Sequence, residues 1–131
     1  DVELIISHQR RFTPGWEKAK EIVDSGLIGK IQFVELKALE GLLNWATHNI
    51  DGSRYIIGDP ETKWVLGAVE RTTNKYERNT IIEDACMGLF EYTNGIQTFV
   101  QSDLNQYDYT SKWKTNHPIV IRGEKGVLGY N

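Results

Sequence analysis

The apolar positions of this chain change period several times. Residues 2–7, Val2-Glu-Leu-Ile-Ile-Ser7, form a short β-prone run, followed by His8-Gln-Arg-Arg11 and Phe12-Thr-Pro14. Thr13 reads as an N-cap, with Pro14 at the first helical position and Glu17 in the first turn, which predicts a helix start. Trp16, Ala19, Ile22, Val23 and Leu27 supply its apolar face, and Gly26 and Gly29 mark its end. Over residues 30–40, Val34, Leu36 and Ala38 alternate with Glu35, Lys37 and Leu39, the pattern of a strand with one buried face.

The next stretch, Gly41-Leu-Leu-Asn-Trp-Ala-Thr-His-Asn-Ile-Asp51, returns to helical spacing. Asn44, His48, Asp51 and Tyr55 fall at i, i+4, i+7 and i+11 on one face, while Leu43, Ala46, Ile50 and Ile57 remain for packing. Asn44 is placed to cap this helix, and Ile56-Ile-Gly-Asp-Pro60 closes it. Residues 64–70 predict a strand and residues 71–78 a polar connection. From Glu83 the chain alternates through Ala85, Met87 and Leu89 to Tyr92, turns at Thr93-Asn-Gly95 and returns through Ile96, Thr98, Val100 and Ser102. Asn-Gly between two alternating runs is the strongest short-range signal of a hairpin. Residues 103–117 have no clean period and read as an irregular loop or distorted edge strand; 118–122 are again a strand, 123–126 a turn and 127–128 its return.

Helices early and hairpin-connected strands late predict an α+β fold: an open, mainly antiparallel mixed β-sheet with helices packed on one face. The other face is then uncovered. Trp64, Phe90, Tyr92 and Phe99 are expected to make it apolar, so that two copies pair sheet to sheet as a homo-oligomer.

Composition narrows the function classes. At 131 residues the chain is one domain, residues 1–131, and 40% hydrophobic with 25% charged residues is the composition of a globular protein. A formal charge of −3 with scattered basic residues carries no electrostatic footprint for nucleic acid. No apolar run approaches the roughly 20 residues that span a bilayer, so no membrane partner is expected. Single Cys86 excludes an internal disulfide and fits a reducing compartment or simply a buried small hydrophobe, which does not decide location; a cytoplasmic protein is expected. His8, His48 and His117 have no metal-ligand spacing, and no metal is expected. Gly-x-Gly-x-x-Gly, phosphate-loop and Gly-x-Ser-x-Gly motifs are absent, so no cofactor is expected on this chain alone. The chain starts at Asp1 directly before an apolar run and stops just after a strand begins, which suggests neighbouring segments on at least one side.

Within this frame His48 has the most chemical potential. A neutral imidazole can take a proton from an alcohol, and Asp51 at i+3 is close enough to orient the ring; the alternative is a structural histidine at a helix–sheet junction. Asn44 equally reads as a cap, and Asp51 as a solvated carboxylate. Gln9, Arg10 and Arg11 lie where a strand meets a loop, a common address for ligand contacts, although surface solvation explains either arginine alone.

With these residues in view the chain resembles the C-terminal domain of the glucose-fructose oxidoreductase, inositol dehydrogenase and rhizopine-catabolism family (Gfo/Idh/MocA). The resemblance runs from Gln9-Arg-Arg-Phe-Thr-Pro14 through Asp24-Ser-Gly-Leu-Ile-Gly-Lys30 to Gly123-Glu-Lys-Gly126. Its most specific part is the Gly41 to Asp51 stretch, which looks like the family's glycine-led segment ending D-x-G-x-H-x-x-D.

The resemblance implies a glyceraldehyde-3-phosphate dehydrogenase-like C-terminal domain that binds a sugar or cyclic polyol and mediates oligomers. NAD or NADP would be held mainly by a Rossmann domain absent from these residues, and the isolated chain would have no turnover. It places His48 at the position of the proton-transferring histidine, with Asn44 standing where the family has an aspartate and Ala46 where it has a glycine. An aspartate there would raise the basicity of the imidazole; an amide can only orient it. By the same resemblance Gln9, Arg10, Arg11, Trp45 and Asp51 are substrate-contact candidates, and Tyr107, with Tyr109 and Trp113, falls where the family closes over the sugar.

Overall fold

A computed structural model describes residues 2–38, 41–103 and 119–130, the side chains of Asn44 and Asp103 excepted. The N-terminal helix α1 (Pro14–Asp24) is followed by β1 (Ile31–Ala38), a wide helical segment of π type (Gly41–Ala46) that runs into α2 (Thr47–Ile56), and β2 (Thr62–Glu70). A small hairpin, β3 (Tyr76–Glu77) and β4 (Thr80–Ile81), precedes β5 (Ala85–Tyr92), β6 (Gln97–Asp103), β7 (Ile119–Gly123) and β8 (Val127–Tyr130).

Six of these strands form one sheet in the order β2-β5-β6-β1-β7-β8. The β1–β6 pair is parallel, and the other four pairings are antiparallel. This is the open mixed sheet that the order of elements predicts. Val34, Leu36, Val100, Ile119 and Ile121 line its buried face and are all but fully excluded from solvent. Trp16 and Ala19 of α1 and Ile56 of α2 join them in one core. At about 25 cal/mol per Å² of apolar surface removed from water, these fully buried side chains supply roughly 1.5–3 kcal/mol each.

The helix start at Pro14 and the glycine stop both hold. Thr13 sits at the N-cap in extended conformation, but its hydroxyl donates back to the Arg10 carbonyl (2.8 Å) and makes no cap bond. Gly26 takes φ +73°, the left-handed geometry that ends a helix cheaply only at glycine. The two helices approach closely at Gly52, where the indole of Trp16 occupies the space a side chain would need.

Other expectations are corrected. Residues 2–7 form no strand; their apolar side chains are exposed because neither sheet edge, β2 or β8, is offered to them. Asn44 is no N-cap: it lies inside the π-type segment, and the chain enters α2 already helical, with Ala46 at φ −64° and ψ −32°. The wider turns also break the single stripe read at α-helical pitch, and Leu43, expected to pack, is 75% exposed. Leu27 is likewise solvent-facing, since α1 has ended before it. The polar connection after β2 holds the β3–β4 hairpin, turned by Arg78 and Asn79 with φ of 46° and 64°.

Phe90 and Tyr92 share the helix-covered face with Thr98 and Val34, so they do not contribute to the uncovered face. That face carries Trp64, Leu66, Met87, Leu89 and Phe99, while its β1–β7 half is charged, with Arg122 paired to Glu35 at 3.2 Å. Residues 104–118, including Tyr107, Tyr109, Trp113 and His117, lie outside the described residues, as do Leu39 and Glu40.

Candidate functional site

The site is assembled where a single turn of 3₁₀ helix, Gln9–Phe12, crosses the exposed side of α2. Arg11 fixes that crossing. Its Nε and Nη2 donate to the two Asp51 carboxylate oxygens (2.7 and 2.6 Å), and its Nη1 and Nη2 donate to Asp59 (2.7 and 2.8 Å). Asp59 follows α2 in a left-handed conformation with φ 51°. The guanidinium also lies 5.6 Å from the ring centre of Tyr55. Two carboxylates hold the Arg11 pKa well above its usual value. Fork-to-fork pairing of this kind adds direction as well as energy.

Arg10 turns the other way. Its Nη1 donates to Asn49 Oδ1 (2.5 Å), and its guanidinium stands over the Trp45 ring at 5.6 Å. Buried Asn49 passes the connection inward by donating from Nδ2 to the Lys37 carbonyl of β1 (2.9 Å). One amide therefore joins the 3₁₀ turn, α2 and the sheet. Partial burial lowers the Arg10 pKa from its ordinary value.

His48 sits one residue before Asn49, half-buried on the first turn of α2. His8 stacks edge to face against it, with ring centres 5.4 Å apart and planes at 87°. His48 Nδ1 is buried and has no hydrogen-bond partner among the described residues. Asp51 does not orient this ring: its oxygens are taken by Arg11, and His8 Nδ1 stands 3.6 Å away. The His48 pKa is lowered, first by burial and then by the charge of Arg10 and by His8, with Asp51 opposing and Arg78 adding a smaller push. The imidazole is therefore neutral, and a proton acceptor, to lower pH than usual.

Of the sequence candidates, the structure thus brings together His48, Arg10, Trp45, Arg11 and Asp51. Gln9 is exposed on the 3₁₀ turn, the side chain of Asn44 is not described, and Tyr107 lies outside the described residues. Sequence reasoning missed Asn49, His8 as a ring neighbour of His48, and Arg78. Asn49 carried a weak signal, an amide between His48 and Ile50 on the sheet side of the helix. No group of three His, Cys, Asp or Glu side chains among the described residues is arranged to hold a metal ion.

The fold is that of the C-terminal domain of the Gfo/Idh/MocA oxidoreductases. Among solved structures the chain is similar to myo-inositol dehydrogenase from Lactobacillus casei in complex with NAD(H) and myo-inositol (TM-score 0.71, 21% identity), covering 97% of this chain and 39% of that one. It is similar to levoglucosan dehydrogenase in complex with NADH and levoglucosan (TM-score 0.67, 21% identity), over 94% of this chain and 38% of that one. It is also similar to a super-repressor mutant of Gal80p from Saccharomyces cerevisiae (TM-score 0.75, 19% identity), over 97% of this chain and 40% of that one. The chain thus spans about 40% of the length of these proteins. No family profile and no curated protein matches the sequence. No helix among the described residues is long and apolar enough to cross a membrane.

Proposed function

We propose that this chain is the substrate-binding and oligomerisation domain of a Gfo/Idh/MocA oxidoreductase that oxidises a secondary alcohol of a sugar or cyclic polyol. The observation that carries the reading is His48, a half-buried imidazole of lowered pKa beside two further substrate-contact candidates, Arg10 and Trp45. The sugar and polyol complexes of similar structures support the substrate class.

His48 accepts the hydroxyl proton as the carbon loses its hydrogen and two electrons, and a carbonyl forms. Because Nδ1 is buried, Nε2 is the nitrogen assigned to the substrate side. Arg10 and Trp45 position the ring of the substrate, Trp45 by its apolar face. NAD or NADP supplies the two-electron acceptor when bound. The sequence offers no glycine-rich pyrophosphate cradle, so that cofactor is assigned outside residues 1–131. Through the uncovered sheet face two copies pair, and the compartment proposed is the cytoplasm.

The test is turnover by the complete protein that carries this chain, with polyols and sugars and either NAD or NADP. His48→Ala is expected to lower kcat by roughly 10²–10⁴-fold, the usual contribution of a positioned acid–base group. Equal activity of the variant removes His48 from the mechanism. A second reading, a non-catalytic ligand-binding or oligomerisation module, is favoured by Asn44 at the family's aspartate position and by the similarity to Gal80p. Absence of any turnover together with retained ligand binding selects it.

A further inference from the structure

The charges around His48 do not balance. Arg11 is met by two carboxylates, Asp51 and Asp59. Its neighbour Arg10, one residue earlier on the same 3₁₀ turn and likewise partly buried, is met among the described residues only by the neutral amide oxygen of Asn49 and the ring of Trp45. Among the described residues no carboxylate lies within ion-pair distance of Arg10. Asp51, the one carboxylate among the described residues that acts on His48, is already engaged by Arg11 on both oxygens. A partly desolvated guanidinium with no counter-charge costs stability, and its planar fork matches a carboxylate or a phosphate.

A second cation is delivered by separate means. Arg78 turns the β3–β4 hairpin in a left-handed conformation, is exposed, and has no ion pair among the described residues, while its charge is felt at His48. That hairpin is anchored rather than loose. Asp84, fully buried at its base, accepts from the backbone N–H of Thr72 (2.6 Å) and Thr73 (2.8 Å) and from the Thr73 hydroxyl, with Lys75 Nζ at 3.4 Å. These donors hold the Asp84 carboxyl well below the usual carboxylate range. Beside it, Glu83 accepts from the backbone N–H of Leu42, tying the base of the hairpin to the π-type segment that leads into His48. A Cβ added at Gly41 would stand 3.6 Å from Ile82, so the hairpin and this segment are in contact.

We infer that the substrate taken beside His48 carries an anionic substituent, carboxylate or phosphate, close to the reacting hydroxyl, with Arg10 as its ligand and Arg78, on the neighbouring hairpin, adding positive charge nearby. The inference rests on the polyol oxidoreductase reading and narrows it from neutral sugars to sugar or polyol acids and phosphates. Trp45 under Arg10 keeps the guanidinium plane fixed, so the two-pronged contact is pre-organised.

The experiment compares three matched ligands on the complete protein: a neutral hexose or inositol, the corresponding uronate or aldonate, and the corresponding phosphate. Equilibrium binding by calorimetry is measured alongside kcat/KM. An anionic ligand is expected to bind roughly 10- to 100-fold more tightly than the neutral one, the value of a charge-assisted pair, and whichever anion is preferred identifies its source. Arg10→Gln is expected to erase most of that ratio, Arg10→Lys to restore part of it, and Arg78→Gln to reduce it by a smaller factor; thermal midpoints check that each variant is folded. A neutral ligand bound and turned over as well as both anions overturns the inference and leaves the polyol reading standing. An absence of turnover with all three overturns the polyol reading, and Arg10-dependent binding of the anion then still supports the anion site, while its absence sinks that too.

Discussion

Replacing Gly52 by alanine sets two effects of opposite sign against each other. Alanine is favoured over glycine in a helix interior by about 1 kcal/mol, and Gly52 lies well inside α2. The added Cβ, however, would stand 2.4, 2.6 and 2.8 Å from three carbons of the Trp16 indole. Ordinary contact begins near 3.4 Å, so the ring would have to retreat by roughly 1 Å. It has little room: Trp16 is 3% exposed, and the Tyr130 ring is packed against it at 4.8 Å between centres. Overpacking of this kind costs about 1–3 kcal/mol, and contact with three ring atoms at once puts this case at the upper end. A net loss of about 2 kcal/mol is expected, or roughly 6–10 °C in Tm for a chain of this size. Urea denaturation of the wild type, Gly52→Ala, Trp16→Leu and the double variant measures it. The double variant should be less destabilised than the sum of the two, because removing the indole removes the clash. A neutral or stabilising Gly52→Ala, or strict additivity in the cycle, would refute the reasoning.

Two further outcomes concern pH and association. Burial, Arg10, His8 and Arg78 all disfavour the His48 imidazolium and Asp51 alone favours it, so the acid limb of kcat/KM should have its midpoint below the ordinary histidine value of about 6.5. Arg10→Gln should move that midpoint upward, and a limb that stays put in this variant would separate the profile from His48. On the uncovered sheet face, Leu66→Glu or Met87→Glu buries a charge in any sheet-to-sheet pairing and should convert an oligomer to monomer by light scattering. A native protein that is already monomeric removes the pairing.

Much of the architecture was legible because it depends on period. The β1 alternation, the Pro14 start and Gly26 stop of α1 and the Asn94-Gly95 hairpin are local signals, and each is realised where it was read. What failed was non-local. Residues 2–7 have strand composition, but a strand exists only where an edge pairs with it. Phe90 and Tyr92 were assigned to the wrong face because the facing of β5 is set by its register with β6, which no single strand reveals. At the site, the types Arg, His and Asp were visible, but their partners were not. Arg11 and Asp51 are 40 positions apart in sequence, and which of two adjacent arginines receives the carboxylates depends on how the 3₁₀ turn crosses α2.

The π-type segment before α2 has a geometric consequence of its own. Such a segment is an α-helix with a residue inserted, and each residue of an α-helix is worth about 100° of rotation. Removing one position between Gly41 and Ala46 would let the α-helical period run back toward Gly41 and swing the side chains upstream of the deletion around the axis by about that angle. Residues 47–56, with His48, Asn49 and Asp51, would keep their places against the sheet and the 3₁₀ turn. Single-residue insertions and deletions here thus act like the adjustment ring of a lens: they re-aim the side chains that precede α2 without disturbing the mount that holds His48.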